Sequence, residues 1–165
     1  MSHRKYVLDK EVAAKKLERM AYEIVESNLE EKSLILAGIS GNGTAIAQIM
    51  RELLGKISTI QIDIVEITLD KRAPGPVTLS PSIDVNGKVV IVVDDVVNSG
   101  KTLLYALKPL LDFQPKKIQT LVLVARSYRS FPIRPDYVGL SISTTLQEHM
   151  FVEVGDNQVT GAYLE

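Results

Sequence analysis

The sequence is most informative in Lys88-Val-Val-Ile-Val-Val-Asp-Asp-Val-Val-Asn-Ser-Gly-Lys-Thr102, which a leucine-rich run follows. Residues 89–94 are almost all β-branched and apolar, which is typical of a strand buried on both faces of a parallel sheet. Asp94 and Asp95 stand where this strand should end, and a polar turn then leads into a helical pattern. Because open α/β sheets bind ligands at this edge, the pattern predicts an α/β fold with a site beside the two acids.

The turn after the acids has the chemistry of a phosphate site. Backbone N–H groups at a helix start, together with the positive end of the helix dipole, attract a phosphate. Ser99 and Thr102 add hydroxyl donors, and Gly100 lets the backbone approach the ligand closely. The carboxylates of Asp94 and Asp95 would repel a phosphate, but they suit a ribose diol or a hydrated Mg²⁺ ion. These groups together predict a site for a phosphorylated sugar.

Two other phosphate-binding motifs fit the sequence poorly. Gly100-Lys-Thr102 matches the end of a P-loop, but Asp95 stands where that motif needs a glycine, which disfavours a nucleotide triphosphatase. Gly41-Asn-Gly43 matches the start of a dinucleotide-binding fingerprint. The third small residue of that fingerprint would be Ile46, which is too large for close packing of helix on strand.

The run Val92-Val-Asp-Asp-Val-Val-Asn-Ser-Gly-Lys-Thr102 resembles the phosphoribosyl-pyrophosphate (PRPP) signature of the type I phosphoribosyltransferases. A second run, Phe131-Pro-Ile-Arg-Pro-Asp-Tyr-Val-Gly139 with the strand before it, is similar to the pyrimidine-operon attenuator/uracil phosphoribosyltransferase family. The likeness extends more weakly over nearly the whole chain. It implies a parallel-sheet type I phosphoribosyltransferase fold flanked by helices. A single domain over residues 1–165 is expected, with a small β cap at about residues 141–165 that covers the base site.

The resemblance implies transfer of phosphoribosyl from PRPP to a nucleobase, with uracil the first choice and UMP and pyrophosphate the products. Asp94 and Asp95 are the expected catalytic residues, which hold the ribose hydroxyls and, through water, the cofactor Mg²⁺. Substrate contacts are expected from a pyrophosphate loop (residues 40–43), a phosphate turn (97–102) and a base loop (126–131). The residues concerned are Ser40, Gly41, Asn42, Gly43, Val97, Asn98, Ser99, Gly100, Lys101, Thr102, Arg126, Tyr128 and Phe131.

The sequence departs from the family pattern in two places. Family members resemble Lys-Thr-Arg-Gly in the pyrophosphate loop, whereas this chain has Ser40-Gly-Asn-Gly43. The mobile arm that closes over PRPP is represented by a shorter segment, the lid (residues 70–85). Lys71 and Arg72 in the lid either contact the pyrophosphate or form a solvated pair. The departures leave a second interpretation open: an RNA-binding transcription attenuation regulator, or a nucleotide sensor with weak or lost transferase activity.

Composition favours a soluble, globular protein of one domain. The chain has 165 residues, is 45% hydrophobic and carries a net charge of −1, unlike disordered or strongly nucleic-acid-binding chains. Without cysteines or an apolar run of membrane-spanning length, a cytoplasmic location and no membrane partner are expected. The family implies a homodimer or larger oligomer. An RNA-facing patch stays open because five basic residues and no acid occur between Phe113 and Pro135: Lys116, Lys117, Arg126, Arg129 and Arg134.

Hydrophobic periodicity predicts the remaining elements. Asp9 is expected to cap a helix that runs to about Ser27, and further helices are predicted at residues 44–54 and from the phosphate turn to Asp112. Buried strands are predicted at residues 34–39 and 117–124, and further strands at residues 60–69 and 136–140. Short alternating segments such as residues 150–154 predict the cap.

Overall fold

The computed structural model describes residues 3–145 and 147–165. Its strands are β1 Lys5–Asp9, β2 Ser33–Ile39, β3 Gln61–Thr68, β4 Thr78–Ser80, β5 Val89–Val97, β6 Lys117–Arg126, β7 Tyr137–Ile142, β8 Met150–Gly155 and β9 Gln158–Leu164. Its helices are α1 Lys10–Ser27, α2 Asn42–Ile57 and α3 Lys101–Ala106, with a 3-10 turn at Lys108–Leu110. Six strands form the main sheet in the order β4-β3-β2-β5-β6-β7, and three form a second sheet in the order β1-β9-β8.

The main sheet confirms the predicted α/β fold. All of its neighbouring strands are parallel except β4, which pairs antiparallel with β3 at the edge. The second sheet is the predicted β cap, and it is antiparallel throughout. Its third strand, β1, comes from the N-terminal end of the chain and was not predicted. No helix in residues 3–145 or 147–165 is both long and apolar enough to cross a membrane.

Strand β5 lies in the middle of the main sheet and is buried on both faces. Val89, Ile91 and Val93 pack in the core that includes α1, α2 and the cap. Val90 and Val92 pack in a second core, on the opposite face, that includes α3. This alternation follows from the period of two along a strand. Burial on both faces explains why the sequence of the strand is an uninterrupted apolar run. The two acids follow directly at the end of this run.

Strand β5 is longer than predicted. The prediction ended it at Asp94, but the ladder with β6 continues through the pairs Val96–Val124 and Val97–Ala125. Asp94 and Asp95 therefore lie within strand β5, near its carboxyl end, rather than in the loop after it. The polar turn begins only at Asn98, so the strand backbone holds both acids in place.

The helices differ from their predictions mainly at their ends. Asp9 caps α1 as predicted, since its carboxylate accepts the N–H of Val12 at 2.8 Å. Helix α2 begins earlier than predicted, directly after Gly41, whose φ of +95° suits glycine. The prediction of a helix to Asp112 was wrong. Helix α3 ends at Ala106 and a 3-10 turn follows, because Pro109 has no N–H to continue the helix.

Gly55 offers a test of how α2 is packed. A Cβ atom built on this exposed glycine meets no atom within 4 Å. We expect Gly55→Ala to raise the free energy of unfolding by roughly 0.5–1 kcal/mol, because alanine loses less backbone entropy in a helix. Urea denaturation measures the change. Gly43→Ala is the contrast, since its Cβ would lie 2.6 Å from the carbonyl oxygen of Val93. A gain in stability from both substitutions would contradict this packing.

Candidate active site

A cavity of about 260 Å³ opens at the carboxyl end of β5, between the main sheet and the cap. It is lined by residues 94–100 and 102–103 of β5 and the phosphate turn, and by residues 150–152 of β8. Asn42 from the start of α2 and Lys71 from the lid complete the lining. Four separate parts of the chain therefore meet at one polar cavity, as expected at the edge of an open α/β sheet.

The two acids at the centre of the cavity have different partners. The carboxylate of Asp94 is 1% exposed; its Oδ1 accepts the N–H of Asp95 at 2.9 Å and lies 3.6 Å from Nζ of Lys71. The carboxylate of Asp95 is partly buried; it accepts the N–H of Val96 at 2.8 Å and the side-chain amide of Asn42 at 2.9 Å. Successive residues of a strand face opposite ways, so one acid meets the lid and the other meets α2.

Burial dominates the electrostatics of Asp94. Removal of its carboxylate from water and, second, the neighbouring charge of Asp95 together raise the pKa of Asp94 to about 8. The ammonium of Lys71 lowers the pKa, but its side chain is 49% exposed and its charge is screened by solvent. The site thus holds a carboxyl group that a cation or a hydrogen-bonding ligand would help to ionise.

The phosphate turn is held in place by the base loop. Gly100 has a φ of +90°, and a Cβ there would lie 2.9 Å from Cγ2 of Ile133. The carbonyl of Ser99 accepts the N–H groups of Ser130 at 3.0 Å and Phe131 at 3.1 Å, and its hydroxyl accepts the N–H of Lys101 at 3.2 Å. Only glycine therefore fits at position 100, and the turn is preorganised by contacts outside its own sequence.

The cap is attached to the cavity at two points. The side-chain amide of Asn42 donates to the carbonyl of Val152 at 2.8 Å, and the N–H of Met150 donates to Oδ1 of Asn98 at 3.4 Å. Phe151 lines the cavity between these points, is 44% exposed and stacks on Tyr163 with ring centroids 5.5 Å apart. Residues 150–152 were missed as site residues. The segment that contains them was predicted to form a cap over the base site, but none of its residues was predicted to contact a substrate.

The structure brings together most of the predicted site residues. Those that line the cavity are Asn42, Asp94, Asp95, Val97, Asn98, Ser99, Gly100 and Thr102. The predicted residues outside its lining are Ser40, Gly41, Gly43, Lys101, Arg126, Tyr128 and Phe131. The first group centres on β5 and the phosphate turn, which are continuous in sequence. The second group comes mainly from the pyrophosphate loop and the base loop, whose roles stay predictions.

Arg126, at the start of the base loop, is held by hydrogen bonds within the protein. Its side chain is buried, with Nε donating to the hydroxyl of Thr144 at 2.6 Å and a terminal nitrogen donating to the carbonyl of Thr145 at 2.7 Å. A buried guanidinium needs such partners, and here they come from the segment after β7. Tyr128 is 55% exposed. Arg126 therefore braces the sheet edge next to the cavity.

The five basic residues of the suggested RNA-facing patch do not form one surface. Lys116 pairs with Glu31, and Lys117 donates to the carbonyl of Ser27 at 3.1 Å. Both lie at the start of β6, whereas Arg126 lies buried at its other end. A ten-residue strand separates these ends by roughly 30 Å. The charge cluster seen in the sequence is therefore divided by the fold.

The family described as "Phosphoribosyl transferase domain" matches residues 3–157 of this chain. The chain belongs to this phosphoribosyltransferase family. The Bifunctional protein PyrR of Streptococcus pneumoniae (strain CGSP14) is 35% identical to it over 155 residues, which cover 91% of this chain and 90% of the relative. These findings confirm the resemblance seen in the sequence.

Solved structures agree on the fold. The hypoxanthine phosphoribosyltransferase of Trypanosoma cruzi superposes with a TM-score of 0.78 at 17% identity, covering 98% of this chain and 97% of that one. A hypoxanthine-guanine phosphoribosyltransferase from Bacillus anthracis superposes with a TM-score of 0.70 at 21% identity, covering 86% and 84% of the two chains. The predicted type I phosphoribosyltransferase fold is confirmed.

The two acids in the cavity suit a hydrated Mg²⁺ ion rather than an ion held by protein ligands alone. Among residues 3–145 and 147–165, no group of three or more His, Cys, Asp or Glu side chains is arranged to hold a metal ion. The two carboxylates in the cavity are hard oxygen ligands, and Mg²⁺ sites often combine one or two carboxylates with water and substrate oxygens. The residues present therefore fit a hydrated Mg²⁺ ion.

Asp94→Asn tests the electrostatics of the buried acid. Because the folded state holds this proton more tightly than the unfolded chain, stability falls as pH rises between 3.8 and about 8. The neutral amide removes this loss. We expect Asp94→Asn to raise the melting temperature at about pH 9 by at least roughly 2–4 °C, the equivalent of about 1 kcal/mol. Differential scanning calorimetry in a buffer without divalent cations measures it. The gain should shrink towards about pH 4, and an equal gain at both pH values would contradict the assignment.

Proposed function

We propose that this protein transfers the phosphoribosyl group of PRPP to a nucleobase, uracil being the first candidate, and releases pyrophosphate. The observation that carries the proposal is the shared cavity: a pair of adjacent acids and a preorganised phosphate turn lie together under a cap. A sugar with hydroxyls on one side and a phosphate on the other fits that combination. Family membership supports the reaction class, and the likeness to the pyrimidine-operon attenuator/uracil phosphoribosyltransferase family supports uracil.

In this reaction the bond between ribose C1 and the pyrophosphate oxygen breaks, and a base nitrogen forms a new bond to C1. The proton of that nitrogen is released, and positive charge develops on the ribose in the transition state. Asp94 and Asp95 accept hydrogen bonds from the ribose hydroxyls and stabilise that charge. The phosphate turn holds the 5′-phosphate, so the protein acts by positioning and electrostatics. Mg²⁺ held through water by the two acids would neutralise charge on the leaving pyrophosphate.

Lys71 supplies the positive charge of the basic residues that the pyrophosphate loop lacks. Among the described residues that line the cavity, Lys71 is the only basic one. Its ammonium lies 3.6 Å from Asp94 on a side chain that is half exposed. It can therefore turn from the carboxylate to an arriving pyrophosphate without a change in the fold. This supports the view that the lid binds substrate.

The cap supplies the place for the base. Phe151 is among the residues that line the cavity, its side chain is partly exposed, and its ring stacks on that of Tyr163. A planar base can stack on such a ring. The sequence had placed the base at Tyr128 and Phe131, and the arrangement of the cavity favours β8 as the closer support.

Asp95→Asn tests the proposed role of the acids. Conversion of PRPP and uracil to UMP should fall by about 100-fold or more, because the amide cannot stabilise the positive ribose. The melting temperature should stay close to that of the wild type, since Asp95 is partly exposed. Asp112→Asn, which changes an exposed acid outside the cavity, is the control. Unchanged turnover in Asp95→Asn would refute the assignment, and parallel assays with hypoxanthine and guanine identify the base.

Lys71→Met tests the proposed role of the lid. Loss of the ammonium should raise KM for PRPP by about tenfold with a smaller effect on kcat, because the charge acts on binding before the transition state. Arg72→Met is the matched control, since Arg72 is adjacent in sequence but lies outside the cavity lining. Steady-state kinetics at constant ionic strength separate the two. Equal effects of both substitutions would show that only the net charge of the lid matters.

A second function is compatible with the same fold: an RNA-binding attenuation regulator or a nucleotide sensor. The name Bifunctional protein PyrR of the 35% identical relative and the missing basic residues of the pyrophosphate loop favour it. Calorimetric titration with PRPP and Mg²⁺, then with a 5′-monophosphate, separates enzyme from sensor. A salt-dependent RNA gel shift detects phosphate contacts. A cytoplasmic location and a homodimer or larger assembly are also part of the proposal. Sedimentation measures the size of the assembly.

A further inference from the structure

The side chain of Asn42 occupies a position that binding of pyrophosphate does not explain. Both N–H groups of its amide are already used: one donates to Oδ2 of Asp95 at 2.9 Å and the other to the carbonyl of Val152 at 2.8 Å. We infer that Asn42 is a positioning residue that fixes the Asp95 carboxylate and links it to β8, so that the ribose site is complete only while the cap is closed. This inference rests on the proposed function, because it assigns Asp95 to the ribose.

The position of Asn42 relative to β5 is rigid. Asn42 is the first residue of α2, and the next residue, Gly43, lies against the strand. A Cβ on Gly43 would come within 2.6 Å of the carbonyl oxygen of Val93 and 3.3 Å of Cα of Asp94. The start of α2 therefore rests directly on the backbone next to the acids. A short side chain at position 42 is enough to reach Asp95 from there.

The bond from Asn42 completes the orientation of Asp95. One carboxylate oxygen accepts the N–H of Val96 at 2.8 Å, and the other accepts the amide of Asn42. With both oxygens held, the carboxylate plane is fixed before any ligand enters. Such preorganisation saves the free energy of reorientation during the reaction.

The second bond from Asn42 makes the cap part of the site. Val152 belongs to β8, and a movement of that strand away from the main sheet would break its bond to Asn42. The amide would then retain only one acceptor, and Asp95 would lose part of its support. The parallel link between Met150 and Asn98 ties the same strand to the phosphate turn. Closure of β8 thus adjusts both halves of the sugar-phosphate site together.

The chemistry of position 42 requires a neutral group with two donors. An aspartate here would face a carboxylate and a carbonyl, both of which are acceptors, and would repel them. An alanine would leave both acceptors without a donor. Thr44, two residues later in α2, provides a comparison: its hydroxyl donates to Glu66 at 2.9 Å, and it lies outside the cavity lining.

The kinetic test compares Asn42→Ala, Asn42→Asp and the control Thr44→Val with the wild type. We expect kcat/KM for PRPP to fall by about 10- to 100-fold in Asn42→Ala and further in the isosteric Asn42→Asp, because misplacement of Asp95 is costly. Thr44→Val should change it by less than about threefold. In a double-mutant cycle, Asn42→Ala should add little to Asp95→Asn when the affinity for PRPP is measured by calorimetry. Additive losses would overturn the inference.

Hydrogen exchange in the ligand-free protein tests the tether without any need for activity. Amides of residues 150–155 should exchange about tenfold faster in Asn42→Ala than in the wild type, and Thr44→Val should leave them unchanged. Unchanged exchange in Asn42→Ala would overturn the inference, as would faster exchange combined with wild-type kcat/KM. If the wild type has no transferase activity but β8 exchanges faster in Asn42→Ala than in the wild type, the proposed function fails and the link between Asn42 and the cap stands.

Discussion

The structure depends on two adjacent carboxylates held at the end of a strand that is buried on both faces. Burial of one of them, Asp94, works against its charge, and the neighbouring charge of Asp95 adds to the penalty. The strand geometry separates their surroundings, because successive side chains face opposite ways. Lys71 of the lid meets Asp94 on one face and Asn42 meets Asp95 on the other. The lid and the start of α2 are therefore each connected to one of the two acids.

Features that follow from local sequence could be predicted well. The apolar run before Asp94 predicted the central strand, and the polar turn with Gly100 predicted the phosphate turn, because each depends on residues close together in the chain. Strands β1 and β4 were missed, since both are short and each is defined by pairing with a strand elsewhere. The early end of α3 had a local signal, Pro109, but the prediction wrongly gave more weight to the leucine pattern.

The remaining parts of the site depend on contacts between distant residues. Arg126 had the residue type expected of a ligand contact, but its partners, Thr144 and Thr145, lie beyond β7 and use its guanidinium to close the sheet edge. The covering role of β8 follows from its bond to Asn42, 110 residues earlier in the chain. No periodicity within either segment indicates such a bond. The position of the site could thus be predicted from the sequence. The residues that surround it could be identified only from the folded structure.

The neutral residue at position 42 also bears on the missing basic residues of the pyrophosphate loop. A lysine or arginine at this position would pair with Asp95 and reduce the negative charge available to the ribose, whereas an amide orients the carboxylate and leaves that charge intact. In the proposed function, the positive charge needed by pyrophosphate is supplied by Lys71, whose half-exposed side chain lies 3.6 Å from Asp94. Orientation and charge are divided between α2 and the lid. A loop without basic residues is therefore consistent with a working ribose site, provided that the lid closes.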